Sequence, residues 1–159
     1  MKTLYVAIGI PGAGKTTKMK ELNALWVSSD AIRGELFGDE NDQSNPVKVF
    51  AILNARIRKA LKRGDDVIYD ATNVSTKSRK QIFKDHAEAA DKMVAYFIDT
   101  PLEEAIRRNS TRDRIVPNEV IERMYNNLNP PTLDEGFDEI VHIKTATDGT
   151  VTTTVTKKD

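Results

Sequence analysis

The chain contains no cysteine, so disulfides and thiolate-held metals are excluded. It has no excess of either charge, because 24 lysines and arginines balance 24 aspartates and glutamates. No global field therefore draws it to a polyanion, although a local basic groove fits within that balance. No apolar run approaches the ~20 residues of a membrane span. Met1-Lys2-Thr3 and the short apolar run behind it are too brief for a secretory signal. A cytoplasmic protein without membrane association is expected. Histidine is scarce, and His86 and His142 lack ligand spacing, so both are read as structural and no metal cluster is expected. The 159 residues show no repeat and no long linker. They are read as one domain, 1–159, large enough to bury a core without staples.

What is present is a glycine-rich turn. Gly9-Ile10-Pro11-Gly12-Ala13-Gly14-Lys15-Thr16-Thr17 fits GxxxxGK[ST] and follows the apolar run Leu4 to Ile8. Glycine lets successive backbone N–H groups turn inward around an anion, and the following helix begins there. Gly12, Ala13, Gly14, Lys15, Thr16 and Thr17 are the candidate ATP-binding residues. Lys15 would reach the β- and γ-phosphates, and the Thr16 hydroxyl would bind Mg²⁺.

The rest of the chain alternates strand and helix. Leu4 to Ile8 reads as a central strand, and Thr16 to Leu25 as a helix. A second strand, Leu25-Trp26-Val27, ends at Ser28-Ser29-Asp30, which caps a helix to about Phe37. Gly38 to Asn45 is a polar loop. Phe50, Leu53, Ile57 and Leu61 form one stripe of a helix from Pro46 to Arg63. Asp66 to Asp70 is the third strand and leads to Ala71-Thr72-Asn73. Ser75 to Ala90 is a basic helix whose Lys77, Arg79 and Lys80 read as surface or as the side of an acceptor groove. Met93 to Ile98 is the fourth strand. Thr100-Pro101-Leu102-Glu103 has the form of a capping box opening a helix to about Asn109. A polar connection bearing Arg112 and Arg114 leads to a helix from Pro117. Two strands, Ile140 to Ile143 and Val151 to Val155, form a hairpin around Asp148-Gly149. Trp26, Tyr69 and Tyr125 are read as packing residues.

This alternation predicts an α/β fold of right-handed βαβ units, with a parallel sheet flanked by helices and a ligand at the carboxyl ends of the strands. The glycine-rich loop, Ser29-Asp30 and Asp70-Ala71-Thr72-Asn73 all fall on such ends. No Asn-Lys-x-Asp element supports a GTPase, and the chain is short for a motor ATPase. A phosphoryl-transfer kinase remains, and it needs a proton acceptor and mobile cations. Asp30 and Arg33, three residues apart at a helix start, share a face. The carboxylate suits an acceptor hydroxyl proton and the guanidinium a neighbouring phosphate. Arg107, Arg108, Arg112 and Arg114 would supply the cations of a helical lid at about 107–117.

Three ordered blocks resemble the kinase domain of the bacteriophage and bacterial polynucleotide 5′-hydroxyl kinases. They are the glycine-rich loop, Ser29-Asp30-Ala31-Ile32-Arg33, and Arg107-Arg108-Asn109-Ser110-Thr111-Arg112 with Val116-Pro117 and Val120-Ile121-Glu122-Arg123-Met124-Tyr125. The likeness covers about Lys2 to Leu133. It implies a P-loop NTPase fold, ATP and Mg²⁺ as cofactors, and nucleic-acid 5′-hydroxyl ends as partners in end repair. It further implies Asp30 as general base, Arg33 on the acceptor's 3′-phosphate, and Arg112 as lid cation with Arg108 in support. Asp70, Thr72 and Asn73 are expected on the acceptor side. The terminal hairpin, about 138–156, lies outside the likeness and offers an edge for pairing with a second copy. A small-molecule kinase for a sugar, nucleotide or antibiotic, and a non-catalytic ATP-binding module, stay open as alternatives.

Overall fold

The computed structural model of the protein describes residues 2–112 and 115–159. Strand β1 (Thr3–Ile8) runs into the glycine-rich loop and α1 (Lys15–Met19), and β2 (Leu25–Ser28) into α2 (Ser29–Phe37). Helix α3 (Pro46–Lys62) leads to β3 (Val67–Asp70) and α4 (Thr76–His86). Strand β4 (Lys92–Asp99) feeds α5 (Leu102–Ser110) and α6 (Asn118–Asn126), and β5 (Glu139–Thr145) and β6 (Val151–Lys157) close the chain. The strands form a six-stranded sheet in the order β2-β3-β1-β4-β5-β6. All neighbours are parallel except β5 and β6. The carboxyl ends of β1 to β4 therefore share one edge of the sheet, where Gly9, Ser29, Ala71 and Thr100 emerge.

Burial follows the apolar pattern. Leu4, Val6 and Ile8 of β1 join Val27, Tyr69, Ala95 and Phe97 on one face, beneath Val49, Leu53, Ile57 and Leu61 of α3. Val94, Ile98, Val141 and Ile143 meet Ala105 of α5 and Ile121 of α6 on the other face. Full burial of such side chains contributes roughly 1.5 to 3 kcal/mol each, which makes the sheet a stiff base for the loops at its edge. No described helix is long and apolar enough to cross a membrane.

The α/β architecture with a mostly parallel sheet is as read from the alternation, but several local expectations change. Helix α1 stops at Met19 rather than running to Leu25. Hydrogen bonds from Glu21 N to Lys18 O and from Leu22 N to Met19 O tighten it into turns that return the chain to β2. The capping box at Thr100 does not form, since α5 has Pro101 as N-cap and no side-chain cap. Thr100 is buried and its hydroxyl donates elsewhere. The terminal hairpin is joined to the sheet through parallel pairing of β5 with β4, and β6 is exposed along its whole length. Tyr125, expected to pack, is 43% exposed.

Arg79 is the largest departure. Read as surface or groove, it is fully buried. It makes a two-pronged ion pair with Glu135 at 2.7 and 3.1 Å and donates to the carbonyls of Asn73, Val74 and Asn129. Helical periodicity puts it on the same side of α4 as Ile82 and His86, both buried. A guanidinium tolerates that burial because its donors are used.

Candidate active site

The glycine-rich loop leaves β1 with Gly12 at φ +84° and Gly14 at φ +91°, a left-handed backbone that favours glycine. Space also requires Gly12, where a Cβ would stand 2.2 Å from the carbonyl oxygen of Ala105. The loop is pinned from outside. The hydroxyl of Thr100 donates to the Ala13 carbonyl at 2.9 Å, and Arg108 Nη1 donates to the same oxygen at 3.1 Å. Gly9 N donates to the carbonyl of Thr72. These bonds tie the loop to the ends of β4, α5 and β3 and fix its shape.

Asp70 closes the base of the loop. Its Oδ2 accepts from the Thr16 hydroxyl at 2.9 Å and from Trp26 Nε1 at 2.8 Å, while Oδ1 lies 3.8 Å from Lys15 Nζ. The sequence reading put Asp70 on the acceptor side, and the structure sets it against the two P-loop side chains. The reason is the parallel pairing of β1 with β3, which ends Asp70 beside the start of α1. Asn73 also departs from the acceptor expectation. It sits at φ +48° with its amide donating to the carbonyl of Ala7 at 2.9 Å, so it fastens the β3–α4 turn to β1. Thr72 does line the cleft.

That cleft, about 810 Å³, is continuous from Lys15 and Thr16 to Asp30 and Arg33. Ser28, the N-cap of α2, accepts from Ala31 N and starts the helix so that Asp30 lies in its first turn. Asp30 Oδ1 accepts from Arg33 Nη1 at 2.9 Å, with the Asp30 side chain 39% exposed. Arg33 is buried, its guanidinium lies 5.7 Å from the Phe50 ring centroid, and its Nε has no hydrogen-bond partner among the described residues. A buried donor of this kind is unusual in a protein interior and suits an incoming anion.

The far wall carries Arg112, Val116, Pro117, Val120, Arg123 and Met124. Arg112 Nη2 donates to Asn109 Oδ1 at 2.9 Å. Arg108 faces the P-loop, but Arg107 turns outward and pairs with Glu104. Hydrogen bonds from Arg107 and then Arg108 hold the Glu104 carboxyl well below the usual carboxylate range. Arg114 lies outside the described residues. Sequence reasoning missed Trp26, Thr100 and Asn109, whose partners are remote in the chain or made by a loop closure that no local pattern announces. Arg123, part of the third block but given no role there, also lines the cleft. Among the described residues no cluster of histidine, aspartate and glutamate stands ready for a metal. His142 pairs with Asp99 and His86 with Asn54.

A pinned P-loop, a carboxylate on its threonine and lysine, and a cleft at the carboxyl edge of a parallel sheet define a P-loop kinase. The chain belongs to the AAA domain family designated AAA_33, whose model matches residues 4–131. That span runs from β1 through α6 and stops before the hairpin. The chain is 28% identical over 150 residues to the L-seryl-tRNA(Sec) kinase of Methanococcus maripaludis, covering 85% of this chain and 56% of that protein. It is 27% identical over 157 residues to a protein of Autographa californica nuclear polyhedrosis virus provisionally named a bifunctional polynucleotide kinase/RNA ligase, covering 89% of this chain and 21% of that one. Among solved structures it is similar to a chain of the Pnkp1/Rnl/Hen1 RNA repair complex, with TM-score 0.71 and 27% identity over 80% of this chain and 44% of that chain. The chain thus spans about half or less of these relatives. The polynucleotide-kinase likeness read from the sequence agrees with these matches.

Proposed function

We propose that the protein transfers the γ-phosphate of ATP to the 5′-hydroxyl end of an RNA or DNA strand. The observation that carries this reading is one cleft joining Lys15 and Thr16 of the P-loop to the Asp30–Arg33 pair. A donor phosphate held by the loop and an acceptor hydroxyl beside Asp30 then share one space.

Each step has a residue suited to it. The loop's backbone amides and Lys15 bind the β- and γ-phosphates and hold them against rotation. Asp30, paired with Arg33, accepts the proton of the attacking hydroxyl. Arg33 then stays beside the acceptor, where its buried Nε suits a phosphate oxygen. Arg112 brings positive charge from the lid side to the transferring group. The Thr16 hydroxyl and the Asp70 carboxylate form an oxygen donor set that fits Mg²⁺. When bound, that cation offsets the charge that develops on the phosphoryl oxygens. Pro117, Val120 and Met124 line the wall near the acceptor and exclude water from it.

The likeness to an L-seryl-tRNA(Sec) kinase supports a neighbouring reading, a hydroxyl carried on RNA but not at its 5′ end. A small metabolite is the third acceptor class. Incubation of the protein with γ-labelled ATP and oligonucleotides ending in 5′-hydroxyl or 5′-phosphate, beside seryl-tRNA and a panel of sugars and nucleosides, separates the three. Label on the 5′-hydroxyl strands alone is the expected result. Label on seryl-tRNA or on a small acceptor instead overturns the polynucleotide reading.

A further inference from the structure

Asp70 has three polar partners, and they differ in kind. Lys15 and Thr16 belong to the phosphate loop and are the groups that a nucleotide and its cation would recruit. Trp26 belongs to β2, on the other side of β3, and has no part in phosphate binding. We propose that Trp26 is a positioning residue, whose indole N–H holds the Asp70 carboxylate facing the P-loop threonine when Mg²⁺ and ATP enter.

In the parallel register of β2 and β3, Trp26 pairs with Ile68 and Ser28 with Asp70. Residues two apart share a face of a strand, so Trp26, Ile68 and Asp70 lie on one side of the sheet. Trp26 Nε1 reaches Asp70 Oδ2 at 2.8 Å, the same oxygen that accepts from Thr16 at 2.9 Å. The indole is itself held, packed against the cluster of Ala7, Met19 and Ile68, with Lys20 Nζ 4.0 Å from the ring centroid. A cation over the ring draws electron density from it and makes the N–H a better donor.

The choice of donor has a chemical consequence. Indole nitrogen donates and does not accept, so it cannot compete with the carboxylate for a cation. Asp70 is 3% exposed. Without Trp26, a buried carboxylate whose other partners turn to the nucleotide would be free to swing away from the site. Trp26 is also the only tryptophan in the chain, so its emission responds to changes around this hydrogen bond.

The proposal concerns the nucleotide site alone and is independent of which acceptor is used. The test is equilibrium binding of a non-hydrolysable ATP analogue to the full chain, with and without Mg²⁺, for the wild type, Trp26→Phe and Asp70→Asn. Phenylalanine keeps an aromatic ring and most of the packing but deletes the donor. The hydrogen bond is to a charged group, worth about tenfold or more in affinity. Trp26→Phe is therefore expected to bind the analogue normally without Mg²⁺ and to lose most of the tightening that Mg²⁺ gives the wild type. In the wild type, addition of Mg²⁺ to the analogue complex should change indole emission, and in Asp70→Asn that change should vanish. A Mg²⁺ response in Trp26→Phe equal to that of the wild type overturns the proposal, as does a wild-type emission that Mg²⁺ leaves unchanged. Failure of the oligonucleotide assay with these results intact would strike only the acceptor reading.

Discussion

Asn109 grips Val116 through both sides of its side-chain amide. Nδ2 donates to the Val116 carbonyl at 2.6 Å, and Oδ1 accepts from the Val116 N–H at 3.0 Å. The same Oδ1 accepts from Arg112 Nη2 at 2.9 Å. One fully buried residue thus closes the connection between α5 and α6 and sets the direction of the arginine within it.

Asn109→Ala removes all of these bonds and leaves the Val116 amide and carbonyl unpaired. Each buried polar group stranded in this way costs about 1 to 3 kcal/mol. Trypsin should cut the variant faster after Arg112, and turnover should fall toward that of Arg112→Ala, expected at up to roughly 10³-fold below wild type. Wild-type resistance to trypsin would show that the clamp does not order the loop.

Asp30→Asn keeps shape and removes the proton acceptor. Turnover should drop by about 10² to 10⁴, while the analogue binds as tightly as to the wild type. Single-turnover kinetics beside a binding isotherm measure both. Unchanged turnover would relieve Asp30 of its role as base.

Arg79→Met takes the guanidinium from Glu135, whose side chain is only 10% exposed and keeps the Thr132 N–H, and from the carbonyls of Asn73 and Asn129. Loss of one partner from a buried ion pair costs about 3 to 5 kcal/mol. Chemical denaturation should show that loss, and the double variant Arg79→Met with Glu135→Leu should recover part of it. A denaturation midpoint near the wild type for the single variant would contradict the assignment of Arg79 to the core.

His86 makes stability depend on pH. Its Nε2 lies 2.7 Å from Asn54 Oδ1, and its Nδ1 is buried without a partner among the described residues. The amide oxygen requires the proton on Nε2, and a second proton on the buried Nδ1 would have no acceptor, so the ring is neutral. Burial pushes its pKa down to about 4, with Asp85 opposing weakly and Arg58 assisting. Unfolded histidine titrates near 6.5, so the unfolded chain takes up the proton first as pH falls. The contribution is complete above about pH 6.5 and is lost progressively down to about pH 4, to a total of roughly 3 kcal/mol at most. Denaturation of the wild type and His86→Gln across this window should show the gap between them narrowing as pH falls. A gap independent of pH would refute the neutral buried ring.

Much of the site was legible because it is written locally. The P-loop needs its glycines, lysine and threonine in one short run, and Asp30 and Arg33 meet through helical spacing alone. Asp70 was legible as a strand-end acid but not as a partner of Thr16, since that depends on which strand lies beside β1. Arg79 looked like surface because a basic helix usually is, and nothing nearby in the chain announces Glu135.

The sequence by itself determined the alternation of strands and helices, the phosphate loop and the carboxyl-edge location of the site, because these follow from short-range pattern and backbone stereochemistry. Only the tertiary structure decided the partners of Asp70, Arg79, Thr100 and Asn109. Their hydrogen bonds depend on strand order and on how the connection between α5 and α6 closes, and strand order is chosen by burial across the whole sheet rather than by any one segment.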